Sequence, residues 1–317
     1  MFLFPAVVVA LSSAELQRVS DGLVFILQAP GNCLSSSVDL PATSPSKNMA
    51  ALWLRASFHD SATWTDNLAD SPGCDASLLA SVDENVNLGI KESLVTRFTQ
   101  NIMANISNAD AIAIGGQITI AHCGGPNIPF ASGRVQTTNP TTTNGPIPEP
   151  DETFTNIMAK MTRMGFNNLD VVALVTGSHS LGGIHAAISP MLTNQTFVPF
   201  DNTPGVFDND VFKRTLNGIC PVPFDCQIAN DPVLRVIVQR FANDQNEFFR
   251  QYVISYQKMI GHTTAKLSLP MSFIIPLHAN LLAEGTTNNY KSSSYSVGSC
   301  PNVYFMLLTL LILYAYI

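Results

Sequence analysis

Apolar positions along this 317-residue chain recur mostly three and four residues apart, the repeat of a helix with one buried face. That spacing predicts helices over residues 46–60, 89–105, 108–123, 151–164, 168–178 and 231–260. Asn108-Ala-Asp and Asn168-Leu-Asp offer short polar side chains suited to helix starts, and Pro150 before Asp151 marks a third start. Residues 124–150, GGPNIPFASGRVQTTNPTTTNGPIPEP, are rich in Gly, Pro, Thr and Asn and read as loop. The sequence contains no alternating run of useful strand length and no internal repeat. The expected fold class is mostly α.

Polar residues that interrupt this pattern are the chemical candidates. In LWLRASFHDSATW (52–64), Arg55 and His59 stand four apart in an apolar segment and so share one helix face. Burying charge is costly unless something meets it, so that face must look at a partner. Beyond His59, Asp60, Asp75 and Ser77 offer oxygens, and Gly73 can turn the backbone to present a carbonyl. Calcium takes six to eight such oxygens, although a solvated polar loop would read the same way. A second set, Asp201, Thr203, Val206 and Asp208, is spaced along FDNTPGVFDND. Just before it, His179 and Ser180 follow the apolar run VVALV. A single histidine at the end of an apolar helix is ordinarily a packed core residue. Two histidines, each beside a candidate calcium loop, point to a shared site. Asp244, in RFANDQNEFFRQY, could accept the second ring N–H of a ligating histidine and raise its basicity.

Composition narrows the classes. The chain is 46% hydrophobic and 12% charged, against about 25% charged in an ordinary protein. That excludes disorder and allows a large core. Net charge is −7 with no basic stripe, which argues against a nucleic-acid surface. The start, MFLFPAVVVALSSAEL, reads as a signal peptide over 1–14, with a buried first helix as the alternative. At the other end, residues 303–317 are apolar but shorter than the ~20 residues a membrane span needs. Small residues at Ser292–Ser294, a polar spacer and this tail fit a GPI-attachment signal; a short tail anchor and a core helix are the alternatives. The expected organisation is a catalytic domain over 15–275, a polar linker over 276–302 and the tail. This predicts a secreted or cell-surface-anchored protein.

Export would account for Cys33, Cys74, Cys123, Cys220, Cys226 and Cys300, which read as disulfide cysteines because no CxxC is present. Cys220 and Cys226 could close a small loop, and the rest of the pairing stays open. Removal of the tail before Cys300 would leave one cysteine unpaired. Asn105-Ile-Ser and Asn194-Gln-Thr are glycosylation sequons.

Taken in order, these motifs resemble the secreted haem peroxidases of the plant, fungal and bacterial superfamily, the fungal branch most of all. Arg55-Ala-Ser-Phe58-His59-Asp60 is similar to that family's distal helix, Gly73-Cys74-Asp75-Ala76-Ser77 to its distal calcium loop, and GGPNIPFASGR to the loop over the haem edge. The surroundings of His179 and Ser180 resemble the proximal helix, residues 200–208 the proximal calcium loop, and residues 242–249 the segment carrying the proximal aspartate. The resemblance implies a two-lobed helical fold holding haem b and two calcium ions. His179 would ligate the haem iron with Asp244 on its other nitrogen, and Phe58 and Phe200 would flank the haem. Asp60, Gly73, Asp75 and Ser77 would hold distal calcium; Ser180, Asp201, Thr203, Val206 and Asp208 would hold proximal calcium. His59 would move the peroxide proton, and Arg55 would stabilise the charge that develops on O–O cleavage.

Asn85 of ENVNLG matches the asparagine that orients the distal histidine, but Leu79 stands where the family has a supporting glutamate. Either Asp83 or Glu84 substitutes for that acid or the link is missing. Met49, Trp53 and His185 occupy the positions of the manganese-binding acids, Leu174 that of a surface tryptophan, and Phe200 that of a proximal tryptophan. The implied enzyme is a monomer that reduces hydrogen peroxide and oxidises small aromatic donors at the haem edge, with no manganese site. One rival is a catalytically impaired haem- or calcium-binding surface protein. The other, a calcium-dependent hydrolase, lacks GxSxG and HExxH. His122, His262 and His278 read as packing or surface residues.

Overall fold

The computed structural model describes residues 11–27, 33, 49–69, 71–91, 106–137 and 146–278. All lie in one compact unit, Met1–Gly285; the other unit, Thr286–Ile317, is outside the described residues. The helices are α1 (Ser13–Leu27), α2 (Met49–Ser61), α3 (Asn108–His122), α4 (Phe154–Arg163), α5 (Asn168–Val171), α6 (Asp210–Leu216), α7 (Pro223–Asn230), α8 (Leu234–Asn243) and α9 (Gln245–Ile260). A two-residue antiparallel ribbon, β1 (Gly183–Ile184) with β2 (Val198–Pro199), completes the elements. The fold is mostly α, as the spacing predicts.

Helix α3 is apolar on every side and buried along nearly its whole length, so it forms the central rod. Ser107 caps it by accepting from the Asp110 amide. Helix α2 packs closely on α3 because Gly115 and Gly116 present no side chain there. The Trp53 ring fills the space over Gly115, and Ser57 with the Tyr256 hydroxyl fills that over Gly116. Helix α9 braces this crossing: Tyr256 donates to Ser57 Oγ at 3.0 Å, while one turn earlier the Tyr252 hydroxyl meets Ser178 Oγ at 2.8 Å. Thus α9 holds α2 and the His179 segment to a single frame.

Several expectations shift. The helix expected over 231–260 is two helices, because Asp244 takes an extended conformation and caps α9 through the Asn246 and Glu247 amides. Helix α5 starts in a capping box between Asn167 and Asp170, then widens into a π-type turn over Val172–Thr176. Such turns often occur at functional sites, and this one leads straight to His179. The short helices α6 and α7 were not expected from the spacing. Of the region read as 89–105, residues 92–105 lie outside the described residues. So do 1–10 of the expected leader, Asn105, Cys300 and the apolar tail, while Leu11 is buried and Ser12 opens α1. No described helix is long and apolar enough to cross a membrane.

Cys33 pairs with Cys123, and Cys220 with Cys226. Cys74 is a buried free thiol whose pKa burial pushes up to about 12, which keeps it protonated and inert. Asn194 is exposed. His122, His262 and His278 are all buried: His262 is layered between Trp64 and Phe166, and His122 meets His278 edge to face. They are packing residues, not surface ones.

Candidate active site

A cavity of about 250 Å³ opens between α2 and the turn after α5. One wall carries Arg55, Phe58 and His59; the facing wall carries Leu174, Ser178, His179, Leu181 and Phe200. The helical spacing of Arg55 and His59 therefore does aim both side chains into one ligand space.

His59 is buried, and its Nδ1–H donates to Asn87 Oδ1 at 2.8 Å. The orienting residue is thus Asn87 and not Asn85, which is exposed on the far side of the same 3₁₀ turn, Asn85–Asn87. The orientation of the Asn87 amide follows from its neighbours. Its Nδ2 donates to the Ser81 carbonyl at 2.8 Å and lies 3.2 Å from Ser81 Oγ, so Oδ1 must face the histidine. Counting six residues back from Asn87 reaches Ser81, whose backbone carbonyl takes the place expected of an acid. Asp83 pairs with Lys91 instead. Burial, with Arg55 adding to it, pushes the His59 pKa down to about 3, so the ring is neutral and its Nε2 carries a lone pair. Arg55 donates to the Leu88 and Val86 carbonyls at 2.7 and 2.8 Å, so the turn that orients His59 also holds the guanidinium. Burial lowers the Arg55 pKa only to about 10, leaving it cationic.

On the facing wall, His179 Nδ1–H donates to Asp225 Oδ2 at 2.7 Å. The partner of His179 is Asp225, not Asp244, which is exposed and spent on capping α9. Asp225 is buried and also accepts from Thr176 Oγ1 at 2.9 Å. It sits in the first turn of α7, which opens on Pro223 and is tied back by the Cys220–Cys226 bridge. Phe200 stacks on the His179 ring at 4.4 Å. With Nδ1 engaged, Nε2 is the nitrogen left for a metal.

Each of the two oxygen-rich loops holds a buried carboxylate, Asp60 in the first and Asp201 in the second. Asp60 accepts from the Ala76 and Leu78 amides at 3.1 and 3.3 Å, and Thr63 Oγ1 joins the Asp60 carbonyl to the Gly73 amide. Gly73 has φ +89°, the left-handed turn a side chain would resist. Burial beside Asp75 raises the Asp60 pKa to about 8, and Ser77 Oγ is buried with no partner among the described residues. In the second loop the Thr203 amide donates to Asp201, and the Thr203 hydroxyl donates to Asp208 at 3.0 Å. Burial beside Asp208 raises the Asp201 pKa to about 8, while Ser180 Oγ and Asp201 Oδ2 are buried without partners among the described residues. No group of three or more His, Cys, Asp or Glu converges among the described residues. A cation there would therefore draw on hydroxyl and carbonyl oxygens, such as those of Thr203 and Val206, beside the carboxylates.

Two other matches move. None of GGPNIPFASGR lines the cavity: its Arg134 is buried in an ion pair with Asp110, and the lining instead includes Pro148-Glu149-Pro150 with His185, Ile188, Ser189 and Leu192. Leu174 is interior and lines the cavity, Trp53 is buried over Gly115, and of the three positions compared with manganese acids only His185 lines the cavity.

Among the described residues, the helical fold thus sets two tethered histidines, His59 and His179, in the lining of the same cavity. The peroxidase family model matches residues 36–244. Peroxisomal L-ascorbate peroxidase 5 of Arabidopsis thaliana is 30% identical over 230 residues, 70% of this chain and 78% of that protein. L-ascorbate peroxidase 3 of the same plant is 29% identical over 230 residues, 70% of this chain and 77% of that one. A WSC domain-containing protein of Arthroderma benhamiae is 29% identical over 250 residues; the match covers 75% of this chain and only 34% of that longer protein. The chain belongs to the peroxidase family, as a hydrogen-peroxide-dependent haem peroxidase.

Proposed function

We propose that this peroxidase oxidises small aromatic donors at the mouth of the cavity, using Arg55, His59 and Asn87 on one side of a haem b and His179 with Asp225 on the other. One observation carries the reading: two histidines of the cavity each have the Nδ1–H held by a buried side-chain oxygen, Asn87 for His59 and Asp225 for His179. Both Nε2 atoms are thereby left for chemistry. The apolar lining around Phe58, Leu174, Leu181 and Phe200 suits a flat macrocycle. Bound haem would supply the iron at which the peroxide O–O bond breaks.

The protein's own part follows from its groups. Asp225, accepting the His179 proton, gives that imidazole anionic character, a strong donor to iron. Neutral His59 takes a proton from hydrogen peroxide at Nε2 and returns it to the departing oxygen, help worth about 10² to 10⁴ in rate. Arg55, cationic and held by two carbonyls, stabilises the negative charge of cleavage. The Ser81 carbonyl keeps Asn87 in register, which counts against the catalytically impaired alternative. Calcium at Asp60, Gly73, Asp75 and Ser77, and at Ser180, Asp201, Thr203, Val206 and Asp208, would answer the orphaned oxygens and carboxylates there. The two disulfides support an exported protein, and the proposal takes it as a monomer, secreted or held at the cell surface by a lipid anchor.

Stopped-flow absorbance tests the reading. Haem-loaded protein mixed with hydrogen peroxide should lose haem-band intensity rapidly, and phenol should restore it. Haem uptake without a fast change would favour the impaired relative, and a folded protein that takes up no haem would end the proposal.

A further inference from the structure

The Cys220–Cys226 disulfide closes on the segment that orients His179. It joins the two ends of CPVPFDC, in which Asp225 is the neighbour of Cys226, and Val222 and Phe224 line the cavity. Side chains of Ser107, Thr153, Asn167 and Asp244 cap the starts of α3, α4, α5 and α9, whereas Val222 opens α7 with no side-chain cap. The approach to α7 is open: Asn217, Gly218 and Ile219 are exposed, and a side chain at Gly218 would meet nothing within 4 Å. Yet Asp225 must meet two donors at once, Thr176 Oγ1 at 2.9 Å and His179 Nδ1 at 2.7 Å. The bridge joins positions six apart and so restrains the unfolded chain less than Cys33–Cys123, whose partners are 90 apart. Its constraint falls chiefly on the first turn of α7. Access differs too, since Cys33 and Cys123 are buried while Cys220 and Cys226 are half-buried.

We propose that the Cys220–Cys226 bridge is a thiol-sensitive positioning element: closed, it holds Asp225 against His179 Nδ1–H, and opened by a thiol it relaxes that grip and weakens His179 as a ligand for haem iron. The inference rests on the peroxidase reading and adds a control over its ligating histidine. Opening is thiol–disulfide exchange. One thiolate of a dithiol reductant attacks a bridge sulfur and forms a mixed disulfide, and the reductant's second thiol then displaces it. Two electrons pass to the protein, Cys220 and Cys226 end as thiols, and the reductant leaves as its own disulfide. Oxidised glutathione reverses the change and leaves as two thiols. A carboxylate that shifts away makes a weaker charge-assisted hydrogen bond. Losing such an outer partner costs a ligating histidine about tenfold or more in metal affinity. The lost anionic character also raises the potential of the iron. Cys33–Cys123 and the thiol of Cys74 are buried and stay out of the exchange.

The test uses the haem-loaded full chain in three forms: untreated, reduced with dithiothreitol and then freed of it, and as the double variant Cys220→Ser/Cys226→Ser. Iodoacetamide labelling of the reduced form, read by peptide mass, should find Cys220 and Cys226 modified and Cys33, Cys74 and Cys123 unmodified. In both bridge-free forms the visible bands should shift, the ferric–ferrous potential should rise, and haem loss to apomyoglobin should quicken about tenfold. Oxidised glutathione should restore all three in the reduced, unlabelled protein. The same steps on Asp225→Asn separate positioning from general loosening: with no carboxylate to place, opening the bridge should move bands and potential no further. Unchanged bands, potential and haem loss in the opened protein, an equal change in Asp225→Asn, or earlier opening of Cys33–Cys123 overturns the proposal. An untreated parent chain that takes up no haem, or that leaves hydrogen peroxide unreacted once loaded, overturns instead the peroxidase reading beneath it.

Discussion

Asn85 and Asn87 differ by two positions in ENVNLG and by everything in environment. Asn87 is fully buried with both ends of its amide engaged, whereas Asn85 faces solvent. Replacing Asn87 with alanine frees the His59 ring to turn and leaves its Nδ1–H unpaired. The expected loss in the peroxide reaction is about tenfold to a hundredfold, with haem binding intact. Asn85→Ala should react like the parent. Stopped-flow rates of the two variants at equal haem loading decide the matter, and equal loss in both would undo the assignment of Asn87.

At the scale of elements, the partner of His179 depends on which helix reaches it. Helix α7 presents Asp225 from its first turn, between the Cys220–Cys226 bridge and Thr176. Asp244 begins α9 on the surface and holds its free amides. Asp225→Asn should therefore weaken haem binding and shift the visible bands of the ligated histidine. Asp244→Ala should leave the spectrum alone and cost about 1 kcal/mol of stability through the lost cap. Haem spectra and thermal melts on both variants separate the roles; a spectral change confined to Asp244→Ala would reverse them.

At the scale of the whole molecule, the two oxygen-rich loops adjoin in sequence the segments that carry His59 and His179. Asp60 and Asp201 are buried carboxylates raised to about 8, an unfavourable arrangement that bound calcium would relieve. Asp60 adjoins His59 on α2, and Ser180 adjoins His179, so loosening either loop acts on the site. Removing calcium with a chelator should alter the haem band before helical circular dichroism falls, and should lower the melting temperature. Identical melts and spectra with and without chelator would mean that the loops hold no structural cation.

Much of this was legible in the chain. Apolar spacing gave α2, α3, α4 and the start of α5; α4 buries one face at the helical period, whereas α3 is apolar on every side and is buried almost throughout. The spacing of Arg55 with His59, and the runs around Asp60 and Asp201, revealed local chemistry, since the groups involved are neighbours in sequence. The short helices α6 and α7 carry too few turns to leave a periodic trace. Asp244 breaks a run whose apolar repeat continues through it, and helical spacing does not register a cap in mid-pattern. The partners of the two histidines lie 28 and 46 residues away along the chain. A motif can propose such pairs, but only the packing of the Asn85–Asn87 turn on α2, and of α7 on the π-type turn, decides which oxygen arrives. The sequence determined helices α2, α3 and α4 and marked the candidate reactive residues; the tertiary structure chose their partners, because hydrogen bonds depend on angstroms that residue spacing does not record.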